Sequence, residues 1–124
     1  EFSEVRTLEV NRRPLDDFAF PEIAAIKINV EGHELSVLRG AEGTLSRLRP
    51  AIILEVEEFR QPGRFGRVRG FLRDRGYDAF QVLRRELRPL GAFGPDQEAG
   101  NARRLTNFLF AHPSRAHGFA AGLT

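Results

Sequence analysis

The 124-residue chain has no cysteine, no methionine and no tryptophan, and only one tyrosine. Without thiols, disulfide frameworks, thiolate metal sites and cysteine nucleophiles are excluded. No stretch nears the ~20 consecutive apolar residues of a membrane helix, and no basic-then-apolar leader opens the chain. The default expectation is a cytoplasmic protein with no membrane contact. Lys27 is the single lysine among 19 basic residues. Seventeen acidic residues leave a net charge of only +2, so the arginines read as compositional bias rather than as a phosphate-binding surface. With no initiator methionine, a chain opening on Glu1 reads as a processed product or a piece of a longer one.

What is present, 41% hydrophobic and 29% charged residues, suits one ordinary domain. Apolar periodicity spells alternating strands and helices. Strands are expected at Val5–Val10, Ala24–Val30, Ala51–Val56, Tyr77–Leu83 and Leu105–Ala111, with Arg85–Leu90 closing a hairpin. Ala24–Val30 has the sparse polarity of a strand buried on both faces. Leu15-Asp-Asp-Phe18 reads as one helical turn. A single long helix is expected over Glu34–Arg49, where Leu35, Leu38, Leu45 and Leu48 form one stripe. Gly40 and Gly43 inside it suggest close packing on a sheet, and Pro50 stops it. A second helix, Phe65–Arg75, places Phe65, Val68, Phe71 and Leu72 on one face. Gly91–Gly100 is loop-like, and Ser114–Thr124 has the look of a frayed tail. Consecutive strand–helix–strand units imply an α/β fold, a mostly parallel sheet with an antiparallel C-terminal edge and helices on both faces.

In such sheets the ligand crevice lies beyond the carboxyl ends of the strands. The two best strands end there in polar clusters: Asn29, Glu31, His33 and Glu34 after the first, Glu55, Glu57 and Glu58 after the second. Three readings compete. Lys27 and Glu55 are a buried ion pair between neighbouring strands, because a lone buried ammonium is too costly. Alternatively, Glu31, His33, Glu55 and Glu57 form a divalent-metal or general-base site. Or the charges are simply solvated, Glu34 compensating a helix dipole. No phosphate-cradling glycine turn exists, since Gly63, Gly66 and Gly70 are spaced wrongly, and Ser36 and Ser46 lie in a helix rather than on a nucleophile elbow. Arg64, Arg67, Arg69, Arg73 and Arg75 make a basic face expected to be wet, not a nucleic-acid site.

The run Ile26-Lys-Ile-Asn-Val-Glu-Gly-His-Glu-Leu-Ser-Val-Leu-Arg-Gly-Ala41 closely resembles the central signature of FkbM-type methyltransferases, I-K-I-D-V-E-G-x-E-x-x-V-L-x-G-A. Leu15-Asp-Asp-Phe18, Arg49-Pro-Ala-Ile-Ile-Leu-Glu-Val56 and Thr106-Asn-Phe-Leu-Phe110 resemble the flanking family elements, so the resemblance runs from Val5 to Pro113. It implies a partial Rossmann-like class I fold and S-adenosylmethionine-dependent methyl transfer to a hydroxyl of a small molecule or sugar. It further implies that residues 1–113 are the C-terminal half of the domain, with 114–124 a tail and the main cofactor contacts upstream. Where the signature has Asp this chain has Asn29, which keeps the shape but loses charge and basicity. On this reading His33, Glu31 and Asn29 are the candidate catalytic residues, His33 being the preferred base. Glu55 and Glu57 are candidate acceptor-binding groups, and no resident metal is expected. The expected partners are a small-molecule acceptor and either a second copy of the chain or the missing N-terminal half. Two rival readings are a non-catalytic module whose exposed Ala24–Val30 edge pairs with another chain and an Arg-rich nucleic-acid binder, the latter not expected.

Overall fold

A computed structural model describes residues 3–56, 62–91 and 107–115. The first ordered feature is a one-turn 3-10 helix at Leu15–Asp17. Then follow β1 (Ala25–Ile28), α1 (Glu34–Arg39), α2 (Glu42–Leu48), β2 (Ala51–Glu55), α3 (Arg64–Arg73), β3 (Asp78–Leu83), β4 (Glu86–Pro89) and β5 (Asn107–Ala111), and a last 3-10 turn at Pro113–Arg115. The five strands form one sheet in the order β1-β2-β5-β3-β4.

β1 and β2 are parallel neighbours, with Ile26 opposite Ile52 and Ile28 opposite Leu54. The mostly parallel sheet expected from the sequence is not found: the other three pairings, β2–β5, β3–β5 and β3–β4, are antiparallel. Two of them come from β5, which returns between β2 and β3 and runs against both; the third is the β3–β4 hairpin. β1, β2 and β3 still point the same way, and the chain steps across the sheet in one direction. Two crossovers of the same hand then place their helices on the same side. That overturns the expectation of helices on both faces. One core cluster joins Leu38, Ala41 and Leu45 of the first connection, Phe65, Val68 and Leu72 of α3, and Ile28, Ile52, Leu54, Phe108 and Phe110 of the sheet. Register puts Lys27, Ile53, Leu109 and Phe80 on the other face. Ile53 there is 39% exposed.

The long helix is in fact two, and the break has a visible cause. In a continuous helix the Gly40 carbonyl would accept the Thr44 N–H. Here it accepts the Asp16 N–H at 2.9 Å. The Asp16 carboxylate in turn accepts the N–H groups of Gly43 and Thr44 at 2.9 and 2.8 Å, and the Thr44 hydroxyl at 2.7 Å. A residue nearly thirty positions upstream thus replaces helical bonds and caps α2. Burial pushes the Asp16 carboxyl up, but these donors and the Arg47 cation outweigh it and hold the group below its ordinary value. The two glycines are explained by the same turn, not by the sheet. A β-carbon on Gly40 would lie 3.1 Å from Pro14 Cβ, and one on Gly43 3.2 Å from Asp16 Oδ2.

Val5–Val10 is not a strand: it has no pairing partner among the described residues, and Val5, Leu8 and Val10 are 90%, 83% and 83% exposed. β1 is not buried on both faces either, since Ala25 and Lys27 are exposed. The expected hairpin forms, turning at Arg84 with φ +48°. At the amino end of the sheet, the Tyr77 hydroxyl donates to the Pro50 carbonyl at 2.9 Å, and burial pushes its pKa up to about 12 against the pull of Arg49 and Arg115. Arg115 donates to the Leu48 carbonyl, and Arg49 to Ser114 Oγ. The boundary drawn after Pro113 therefore falls inside a docked turn. The expected 91–100 loop, apart from Gly91, and residues 105–106 and 116–124 lie outside the described residues.

Candidate functional site

The carboxyl ends of β1 and β2 meet, as parallel neighbours must, and the chain beyond each strand supplies polar groups to one lip. Asn29, Val30, Glu31, Glu34, Glu55 and Arg64 line a recess there of about 20 Å³, room for roughly one water molecule. Asn29 and Glu31 are exposed, and Glu55 is half-buried. His33, the preferred base, is not in this recess. It precedes the first turn of α1 and lines a larger groove alongside β1, together with Lys27, Asn29 and Ser36. Asn29 is the only sequence candidate that borders both. Glu57 and Glu58 lie outside the described residues.

The buried ion pair is present, but with other partners. Lys27 is exposed and faces Ile53 across the register, so it needs no carboxylate to offset burial. The group that is buried is Glu34, 2% exposed. One of its oxygens accepts the Gly32 N–H at 3.2 Å, and the other lies 3.9 Å from Arg64 Nε, in a side chain 11% exposed. Glu34 therefore is not a solvated helix-start charge. It ties the turn after β1 to the start of α3. Gly32 has φ +84°, and a β-carbon on it would come within 3.2 Å of an Arg64 Nη. The glycine and second glutamate of the V-E-G-x-E run are thereby accounted for: one makes the turn, and the other fastens it.

Sequence reasoning missed this because it left Arg64 in a basic face expected to be wet. Three of those five arginines are engaged within the chain. Arg64 meets Glu34, Arg69 donates to the carbonyls of Leu90 and Gly91, and Arg75 pairs with Glu42 and stacks on Phe71. A second feature that no pattern announces is Gln81. It is fully buried on the helix-covered face beside Phe108, and neither amide atom has a hydrogen-bond partner among the described residues. Such a group costs about 1–3 kcal/mol.

Chemically, the recess offers an amide and three carboxylates, one of them Glu34 already paired with the single guanidinium, groups able to hydrogen-bond a hydroxyl or a water. Among the described residues no three His, Asp or Glu side chains gather as metal ligands, and Glu57 of the metal reading lies outside them. S-adenosylmethionine does not fit what is described. The recess is far too small, and the larger groove is lined by Arg12, Arg13, Lys27 and His33 with no carboxylate to meet a ribose or a sulfonium. No described helix is long and apolar enough to cross a membrane.

Comparison with curated proteins and with solved structures gives no match. A family model does match, over residues 1–79, described as the methyltransferase FkbM domain. The match lies in the N-terminal part of this chain and ends in β3, so the resemblance of Thr106–Phe110 falls beyond it. It takes in the Asp16 turn, both strands of the lip, the Gly32–Glu34–Arg64 fastening and all the candidate residues, and on that ground the chain belongs to the FkbM methyltransferase family.

Proposed function

We propose that this chain is the acceptor-side portion of an S-adenosylmethionine-dependent O-methyltransferase acting on a hydroxyl of a small molecule or sugar. The observation that carries the reading is the juxtaposition of Asn29, Glu31 and Glu55 on one lip, fastened from below by Glu34 and Arg64. The common direction of β1, β2 and β3 supports placing these strands in the C-terminal half of a Rossmann-like sheet. In this role Asn29 orients the acceptor hydroxyl by hydrogen bonding, since a neutral amide takes up no proton. The carboxylates of Glu31 and Glu55 accept from the acceptor's hydroxyls, and Glu57 remains a further acceptor-binding candidate. His33 serves as a proton acceptor only for an acceptor that reaches from the recess into the neighbouring groove. Holding the nucleophilic oxygen in place is the larger part of such catalysis.

Because the described residues do not fit the cofactor, the 124-residue chain is expected to show no heat of S-adenosylmethionine binding in calorimetric titration. A micromolar dissociation constant would overturn the assignment of the cofactor contacts to another part of the domain. A non-catalytic interaction module is the second reading, favoured by a β1 edge that no described strand pairs.

A further inference from the structure

The turn that follows β5 is held by bonds that a single proton would undo. The His112 ring is half-buried and edge-on to Tyr77, with ring centres 5.5 Å apart. Its Nε2 lies against Gly76, where a β-carbon would come within 2.8 Å of that nitrogen, so the ring has little room to swing. Its Nδ1 accepts the Ser114 backbone N–H at 3.2 Å and lies 2.7 Å from Ser114 Oγ. A hydroxyl can turn its proton either way, but a backbone N–H only donates. Nδ1 is therefore bare, and the closed turn requires the neutral imidazole with its proton on Nε2.

The surroundings also oppose a second ring proton. Burial and the Arg49 guanidinium push His112 below its ordinary value of 6.5, against the pull of Asp78 on β3. Arg49, at the α2–β2 junction, donates to Ser114 Oγ at 3.1 Å, and Arg115 donates to the carbonyl of Leu48, the last residue of α2, at 3.1 Å. Tyr77, the remaining titratable neighbour, stays neutral until about pH 12. We propose that the His112–Arg115 turn is a proton-operated latch: neutral His112 holds it on the α2–β2 junction, and protonation at Nδ1 releases it. The new N–H and the Ser114 N–H would face each other as two donors with no acceptor between them. Release takes Arg115 from the last carbonyl of α2 and Arg49 from Ser114. The stabilisation from closing is whole above the open-state value of 6.5 and is lost as pH falls from there through the lower closed-state value. The Tyr77 bond to Pro50 has no group that titrates in this range, so it stays closed while the latch opens.

The test is nuclear magnetic resonance of the isotope-labelled 124-residue chain, titrated between about pH 8 and pH 5. At the upper end the His112 nitrogens should report the Nε2–H tautomer. As that ring titrates, the exchange protection of the Ser114 and Arg115 amides, which bond to His112, should fall by about tenfold. Ile52 and Leu54 in β2 should keep theirs. His112→Asn puts a carbonyl oxygen where Nδ1 stood and takes up no proton, so its turn should stay closed across the range. Arg49→Gln should raise the pKa of His112. An Nδ1–H tautomer at high pH overturns the proposal, and that measurement needs no variant. So does protection at Ser114 and Arg115 that is indifferent to the titration of His112, or a loss that persists with the same midpoint in His112→Asn. A His112 pKa left unmoved by Arg49→Gln likewise counts against it. None of these outcomes depends on methyl transfer or cofactor binding.

Discussion

The two ends of the sheet are held by different chemistry. At the carboxyl ends of β1 and β2 the buried fastening is ionic, Glu34 against Arg64, and it borders the same recess as Asn29, Glu31 and Glu55. At the amino end the buried fastening is neutral, the Tyr77 hydroxyl on the Pro50 carbonyl, with His112 edge-on to the same ring. Neutral bonds cost little to bury, whereas an ion pair costs much in desolvation and is easily unbalanced. The comparison shows that this fold places its electrostatic risk beside the polar recess and its safer bonds at the opposite end of the sheet.

Glu34→Leu tests the ionic end and carries the largest expected effect. It takes a carboxylate from beside Arg64 and the acceptor from the Gly32 N–H, for a loss of about 2–3 kcal/mol in urea unfolding. Glu55→Gln, a few ångströms away on the open lip, should change stability by less than about 0.5 kcal/mol. Equal losses for the two would abolish the distinction between fastening and lip. At the neutral end, Tyr77→Phe leaves the Pro50 carbonyl unsatisfied and should cost about 1–2 kcal/mol. No pH dependence is expected below pH 9, because the phenol titrates only near its raised value of about 12. Among the buried fastenings and caps, the smallest loss belongs to neither end. Asp16 is held below its ordinary value in the fold, so its contribution is complete above the unfolded pKa of 3.8 and is lost as pH falls through the lower folded value. Asp16→Asn should cost about 1 kcal/mol at neutral pH and flatten the acid limb of the stability curve, as followed by circular dichroism.

Local pattern made much of this molecule legible. The stripe of Phe65, Val68 and Leu72 announced α3, and the apolar runs around Ile28 and Ile53 announced two strands that do lie side by side and parallel. The meeting of their polar ends followed from that. What escaped was whatever depends on a partner far along the chain. Nothing between Glu34 and Arg49 says that the helix will break, because the residue that breaks it is Asp16. Alternation at Val5–Val10 has the signal of a strand but no described strand to pair with. The insertion of β5 between β2 and β3 leaves no trace in either strand's residues, yet it makes two of the four pairings antiparallel. Lys27 looked like the cation in need of a mate, while Arg64, thirty positions past Glu34, was the one that had it.

The Asp16 turn also bears on the order in which the chain can assemble. Because a backbone bond and a carboxylate from upstream stand in for two rungs of the crossover's own ladder, the bend between α1 and α2 exists only once the 14–18 stretch has docked. Leu38 and Leu45 reach the same core from either side of that bend. The aim of the first connection onto the sheet is thus written outside the connection itself.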